Sequence, residues 1–286
     1  MNYFHYIYLD AAIQIWKDFR FVNSSSFAMA KITLTAKFLN FLRIFHLNAA
    51  YNNIGSLLLP SWLNSRIKSV IIEHTFVPLV ATEEILPKYQ MACDFLIKEL
   101  GKNSIGDYLE FGVSHGSSLS IMHKVLKKLK LDHVRIFGFD SFEGMPDIAA
   151  KDDGGKWKPG QFASPIEDTR RFLTEKGVNW TRTFLIKGWF SDTLTPELVE
   201  KYNIRKASLI MIDCDIYTSS IQALNFCEPL IKDKAIVFFD DWIDDKEFGE
   251  YRAWIEFLHK NPYFNSVDFG SYKPTGKLFV LTNTKA

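Results

Sequence analysis

Residues 208–242 read SLIMIDCDIYTSSIQALNFCEPLIKDKAIVFFDDW, from Ser208 to Trp242, and the fold is decided here. Two runs, Leu209–Ile212 and Ala235–Phe239, are continuously apolar. Runs of this length and character suit strands covered on both faces of a parallel sheet. Between them, from Ser219 to Leu230, apolar residues recur at helical spacing, which predicts a strand–helix–strand crossover. Each apolar run stops at acid, the first at Asp213 and Asp215, the second at Asp240 and Asp241. Open α/β sheets bind their ligands beyond the carboxyl ends of the strands. The acids therefore stand where such a fold does its work.

Crowded carboxylates repel unless a cation or a shared proton compensates. Magnesium and similar hard ions take oxygen ligands from a few carboxylates and keep waters for a substrate. One reading of the stretch is a metal site made by Asp213, Asp240 and Asp241. The other is that Asp ends strands because it suits turns and helix caps. The stretch by itself leaves both open.

The chain has 286 residues, enough for one large α/β domain and an appendage. Its hydrophobic fraction is 47% and its aromatic fraction 15%, which supports a substantial core with aromatics left over for a binding surface. A net charge of +1 gives no general attraction to nucleic acid or to anionic membrane. Cys93, Cys214 and Cys227 show no zinc spacing and fit a reducing compartment. Asp10 interrupts the N-terminal segment, so no signal peptide is expected. Residues 44–65 lack acids, Lys and Arg, but Asn48, Asn52, Asn53, Gly55 and Pro60 would be costly in lipid. The expectation is a cytoplasmic protein with no transmembrane segment.

Residues 1–87 differ from the rest. Lys31, Lys37 and Arg43 alternate with Ile32, Leu34, Phe38, Leu42 and Phe45, as in a basic amphipathic helix. Such a segment can lie on a membrane, but packing against its own domain or a sister subunit is favoured. This region is taken as a helical extension serving a lid or an oligomer contact. From residue 88 onward helices and strands alternate. Strands are predicted at Tyr108–Val113, Val134–Phe139, Thr183–Ile186, Leu209–Ile212 and Ala235–Phe239. Helices are predicted at Glu83–Leu100, Ser118–Leu129, Ile166–Lys176, from Pro196, and at Glu247–Lys260. Two short strands, Val267–Phe269 and Lys277–Leu281, close the chain around a turn at Pro274–Gly276. The fold class is α/β, a doubly wound, Rossmann-like sheet with an antiparallel last strand.

Three further strand ends describe a nucleoside site. Tyr108 to Ser118 reads YLEFGVSHGSS, with Glu110 near a strand end and Gly112 and Gly116 flanking a short loop before a helix. This is not G-x-G-x-x-G, so a dinucleotide oxidoreductase fits less well. The next strand ends at Asp140, which is placed to hold ribose hydroxyls. The one after runs into KGWFSD, where Gly188 turns the chain and Trp189 or Phe190 could stack on a purine. Core packing is the competing reading for both rings.

The set YLEFGVSHGSS, FGFDSFEGMP, IKGWFSDTL, MIDCDIYTSS and IVFFDDW strongly resembles the macrocin O-methyltransferase family over roughly Thr75 to Leu281. The resemblance implies a class I methyltransferase that uses S-adenosyl-L-methionine and magnesium (Mg2+) to methylate sugar hydroxyls on natural products. It implies that Glu110, Gly112, Ser114, Gly116 and Ser118 form the methionine-binding loop. Asp140 would bind ribose with Ser141 beside it, and Gly188, Trp189, Phe190 and Ser191 would frame adenine. Asp213, Asp240 and Asp241 match the metal aspartates, with Asp213 also facing the cofactor. Asp213 is the first candidate for assisting proton removal, with Asp215 or water as alternatives. Thr75, at the edge of the resemblance, is a weaker cofactor contact. A homo-oligomer is expected from the family alone.

Glu143–Pro165 is long for a loop in a compact domain and reads either as a lid carrying Lys156, Trp157, Lys158 and Phe162 toward a sugar or as a flexible surface loop with incidental aromatics. The expected acceptor is a small or glycosylated molecule. A catechol or phenol methyltransferase would keep every motif. A nicotinamide oxidoreductase would share the fold without needing the Asp240–Asp241 pair. A catalytically silent scaffold has no reason to keep like charges together.

Overall fold

The apolar runs do become strands buried on both faces. The computed structural model describes residues 82–286, apart from 153, 154, 244–248 and 286. The expected N-terminal helical extension and Thr75 lie outside the described residues. So does the expected start of the last helix at Glu247.

In chain order the elements begin with α1 (Thr82–Leu100), β1 (Asp107–Phe111), α2 (Ser117–Lys128) and β2 (Ile136–Asp140). Next come α3 (Ala149–Asp152), α4 (Ile166–Glu175), β3 (Thr183–Lys187), α5 (Phe190–Thr193) and α6 (Pro196–Tyr202). The chain closes with β4 (Ala207–Ile212), α7 (Tyr217–Cys227), β5 (Lys234–Phe239), α8 (Gly249–Lys260), β6 (Phe264–Lys273) and β7 (Gly276–Asn283). They form one seven-stranded sheet in the order β3-β2-β1-β4-β5-β7-β6. Strands β1 to β5 are parallel, and β7 runs antiparallel to both β5 and β6.

Alternation along each strand splits the core between two faces. Tyr108, Leu209, Met211, Ile236 and Phe238 pack on one side with residues of α1 and α2. Leu109, Phe111, Ile210, Ile212, Val237 and Phe239 pack on the other with residues of α7 and α8. Both faces being covered is why these strands read as unbroken apolar runs.

Several boundaries differ from the sequence reading. Helix α1 continues through Pro87, so the boundary expected there falls inside a helix. Helix α7 stops at Cys227, and its last turn tightens to a 3-10 turn over Glu228–Leu230, because Pro229 has no N–H to continue the ladder. The closing strands are far longer than expected. Asn265, Ser266, Asp268, Gly270 and Ser271 make β6 an edge strand too polar for an apolar pattern to show. Part of segment 143–165 is docked. Met145 and Ala149 are buried against Ile216, with Trp157 beside them. Asp152 Oδ2 accepts from the Thr218 amide at 2.5 Å and so caps α7 from a distance.

Candidate active site

The strand order reverses at β1, with β2 on one side and β4 on the other, and the ladder continues one residue past the strand ends there. The Gly112 amide donates to Phe139 O at 2.9 Å, the Asp213 amide to Phe111 O at 2.9 Å, and the Asp240 amide to Ile212 O at 3.1 Å. Ile212 and Phe239 are register partners, so the acids that follow them become neighbours. Gly112 has φ +89°, and a Cβ on it would lie 1.7 Å from the Asp213 carbonyl oxygen. Only glycine fits at that crossing.

Above these ends lies a cavity of about 410 Å³, lined among others by Gly112, Asp140, Trp189, Asp213, Asp215 and Asp241. It joins the two halves that the sequence suggested separately. On the acid half, Asp213, Asp240 and Asp241 each offer a carboxylate oxygen, all within 4.8 Å of one another. Burial drives the Asp213 carboxyl well above the usual carboxylate range, and the charges of Asp240, Asp241 and Asp215 push it further. Asp215, held at φ +61°, is pushed up to about 8 by burial, then by the charge of Asp241 and a hydrogen bond with it. Two carboxyls can make that bond only by sharing a proton.

Three residues that the sequence did not flag organise this half. Glu250, in the first turn of α8, is fully buried and accepts from the Cys214 amide at 3.3 Å and the Asp241 amide at 3.0 Å. It ties together the two loops that carry the acids. Tyr272 Oη donates to Asp240 Oδ1 at 2.5 Å, and Lys273 Nζ to Asp240 Oδ2 at 2.6 Å. In sequence, Glu250 is one more acid in a helical first turn, and Tyr272 and Lys273 merely precede the turn expected at Pro274–Gly276. Only the fold brings them here.

On the nucleoside half, Asp140 borders the cavity but is engaged by the loop it faces. Its Oδ2 accepts from the Val113 and Ser114 amides at 2.7 and 2.8 Å, and its Oδ1 from the Phe142 amide at 2.6 Å. A carboxylate has about four acceptor positions, so capacity for a ribose hydroxyl is left. Ser114, Ser141, Gly188 and Ser191 also line the cavity. Both aromatic candidates line the cavity. Trp189 is the more exposed of the two, whereas Phe190 is partly buried and also meets Phe111 edge-on at 5.8 Å, which gives it a share in the core.

Glu110, Gly116 and Ser118 are behind the cavity rather than on its wall. Glu110 is fully buried, and its two oxygens accept from Tyr108 Oη and Ser118 Oγ, each at 2.6 Å. Burial raises its carboxyl to about 7, although both hydroxyls pull it down. A Cβ on Gly116 would meet the Leu173 side chain at 2.9 Å, so that glycine serves packing under the loop. Cys214 is a packed thiol whose Sγ lies 3.4 Å from Phe111 O. Among the described residues no helix is long and apolar enough to cross a membrane.

This arrangement has known relatives. Over 146 residues the chain is 30% identical to an 8-demethyl-8-(2,3-dimethoxy-alpha-L-rhamnosyl)-tetracenomycin-C 4'-O-methyltransferase of Streptomyces olivaceus, covering 49% of this chain and 54% of that protein. It is 25% identical over 150 residues to a demethyldecarbamoylnovobiocin O-methyltransferase of Streptomyces niveus, covering 50% and 55%. The chain thus spans about half the length of the curated relatives it matches. Among solved structures it resembles the O-methyltransferase NovP, with a TM-score of 0.56, 20% identity, and coverage of 68% of this chain and 78% of that one. It also resembles the calicheamicin methyltransferase CalS11, with a TM-score of 0.53, 22% identity, and coverage of 73% and 88%. Both structural likenesses speak for the fold. Residues 89–262, more than half of the chain, match the macrocin-O-methyltransferase (TylF) family, and the chain belongs to that family.

Proposed function

We propose that this protein is an O-methyltransferase that uses S-adenosyl-L-methionine and a divalent cation, magnesium by chemistry, to methylate a hydroxyl of a sugar on a natural product. The observation that carries the reading is a single cavity bounded by Asp140 and Trp189 at one end and by the cluster Asp213, Asp240 and Asp241 at the other. Family membership and the rhamnosyl acceptor in the name of one relative support the substrate class.

The residues fit both groups. Three carboxylate oxygens within 4.8 Å make a hard, anionic donor set of the kind that holds magnesium rather than a soft metal. Lys273 already places an ammonium on this cluster, a sign that the acids need positive charge. Trp189, Gly188 and Asp140 would hold the nucleoside, and Gly112 and Ser114 the amino-acid end. When bound, the cofactor supplies an activated methyl group and the cation lowers the pKa of a hydroxyl beside it.

What the chain itself must do is position an alcohol and receive its proton. Asp215 takes that proton in this reading, in preference to Asp213, because a carboxylate bound to a cation is a poor base. Burial and the charge of Asp241 raise Asp215 to about 8, so it is free to accept a proton near neutral pH once positive charge on the cluster offsets that rise. Lys156, whose charge opposes this rise, lies over the Trp157 ring at 4.2 Å. Trp157, Phe162, Met145 and Ile148 give the acceptor side an apolar and aromatic wall. That wall suits the face of a sugar ring, and it also favours a second reading with a phenol as acceptor.

The test is calorimetric binding of S-adenosylhomocysteine, with and without magnesium, followed by methyl transfer to glycoside and phenol acceptors. Nucleoside binding that survives Asp241→Asn, beside a magnesium signal that disappears, supports the two-part site. Absence of nucleoside binding refutes it, and transfer only to phenols selects the second reading.

A further inference from the structure

Asp240 is the acid of the cluster that the fold grips most tightly, and the grip comes from the β6–β7 hairpin. The Trp242 amide donates to Thr275 O at 2.7 Å, which fixes the hairpin turn onto the loop that carries Asp240 and Asp241. Consecutive residues of a regular strand point to opposite faces, so Tyr272 and Lys273 should not reach the same group. The β6–β7 register shifts between Ser271 and Lys273, and an irregularity of this kind re-aims side chains. Both then converge on Asp240, one on each oxygen. The Tyr272 ring packs against Gly276, where a Cβ would lie 2.6 Å from it. The Lys273 side chain is 17% exposed and that of Asp240 7%, so their 2.6 Å ion pair is largely shielded from water. Lys273 also borders the cavity beside Asp213 and Asp241.

We infer that Lys273 is a resident cation of the acid cluster, which holds Asp240 when no divalent ion is bound and opposes the ion when one arrives. Lys273 therefore sets the affinity of the site for divalent ions. The inference rests on the reading of Asp213, Asp240 and Asp241 as a divalent-ion site. Its logic is electrostatic: a fixed ammonium satisfies part of the cluster's negative charge, and an incoming cation must share the carboxylate with it. An ordinary structural ion pair would tie the hairpin down without restraining the affinity for an ion.

The experiment measures Mn2+ binding to the full chain by calorimetry, with free Mn2+ counted by electron paramagnetic resonance. Lys273→Met is expected to bind Mn2+ about tenfold more tightly than wild type, within the range of about 5–150-fold typical of coupled sites. Lys273→Gln, which keeps a neutral donor to Asp240, should show the same rise and guards against misfolding of the methionine variant. Lys273→Arg should stay near wild type. Binding that is unchanged or weaker in both neutral variants, while wild type binds, overturns the role of Lys273 and leaves the ion site standing. No Mn2+ binding by wild type or by either neutral variant overturns the ion site, and this inference with it.

Discussion

Gly112→Ala probes the crossing on which the cavity is built. Gly112 has φ +89°, and the added Cβ would sit 1.7 Å from the Asp213 carbonyl oxygen. Placing an L-residue in the left-handed region costs about 1–2 kcal/mol. The overlap is with backbone, so no rotamer change relieves it, and forcing packed elements apart adds about 1–3 kcal/mol. The expected loss is roughly 2–5 kcal/mol, a large part of a typical total of about 5–15 kcal/mol. For a unit of this size that corresponds to a fall in Tm of roughly 10 °C. Gly101→Ala is the control, because Gly101 has φ +82° and nothing within 4 Å of the added Cβ. At φ +82° and ψ 147° it carries a backbone penalty alone, about 1–3 kcal/mol. Urea unfolding followed by circular dichroism and tryptophan fluorescence measures both. Equal losses in the two variants would refute the claim that β1 and β4 meet too closely for any side chain.

Glu110→Gln should flatten the dependence of stability on pH. The Glu110 carboxyl rises from 4.5 to about 7 on folding, so the folded state binds more protons and stability falls as pH climbs between those values. The fall is about 3 kcal/mol in wild type and should be missing from the variant in unfolding experiments run from pH 4 to 8. Trp189→Ala should weaken S-adenosylhomocysteine binding about tenfold, the scale of one stacking contact, with little change in Tm. Phe190→Ala should lower stability by about 2 kcal/mol through its lost contact with Phe111, and, since Phe190 also lines the cavity, calorimetry should show a loss of affinity smaller than that of Trp189→Ala. Magnesium should raise the Tm of wild type and leave that of Asp213→Asn unmoved in thermal scans, since the site loses one of its three charges.

The parallel sheet and its crossovers were legible in the chain because they depend on local periodicity. Leu209–Ile212 and Ala235–Phe239 are apolar at every position, and only strands covered on both faces use residues in that way. The acids that end these runs were legible for a related reason. Strands in parallel finish at one edge, so whatever follows them in sequence collects at that edge in space. Gly112, Asp140, Trp189, Asp213, Asp215, Asp240 and Asp241 were all identified, and the fold places them around one cavity.

The rest depended on contacts between distant residues. Whether Glu110 touches a ligand or lies behind the wall turns on which face of β1 it occupies and on Ser118 and Tyr108 reaching it. Trp189 and Phe190 are adjacent in the chain and both line the cavity, and only packing against Phe111 gives Phe190 a share in the core as well. Segment 143–165 reads in sequence as either a lid or a surface loop, and only the fold brings Asp152 to cap α7 and Met145 to pack beside Ile216. Glu250, Tyr272 and Lys273 had no sequence signal, because their role is to satisfy groups brought to them by other strands. The sequence alone determined the sheet and the acids at its edge, since local patterning specifies both. Tertiary structure decided how the charge of those acids is held and balanced, because electrostatic partners are chosen by distance in space rather than by spacing along the chain.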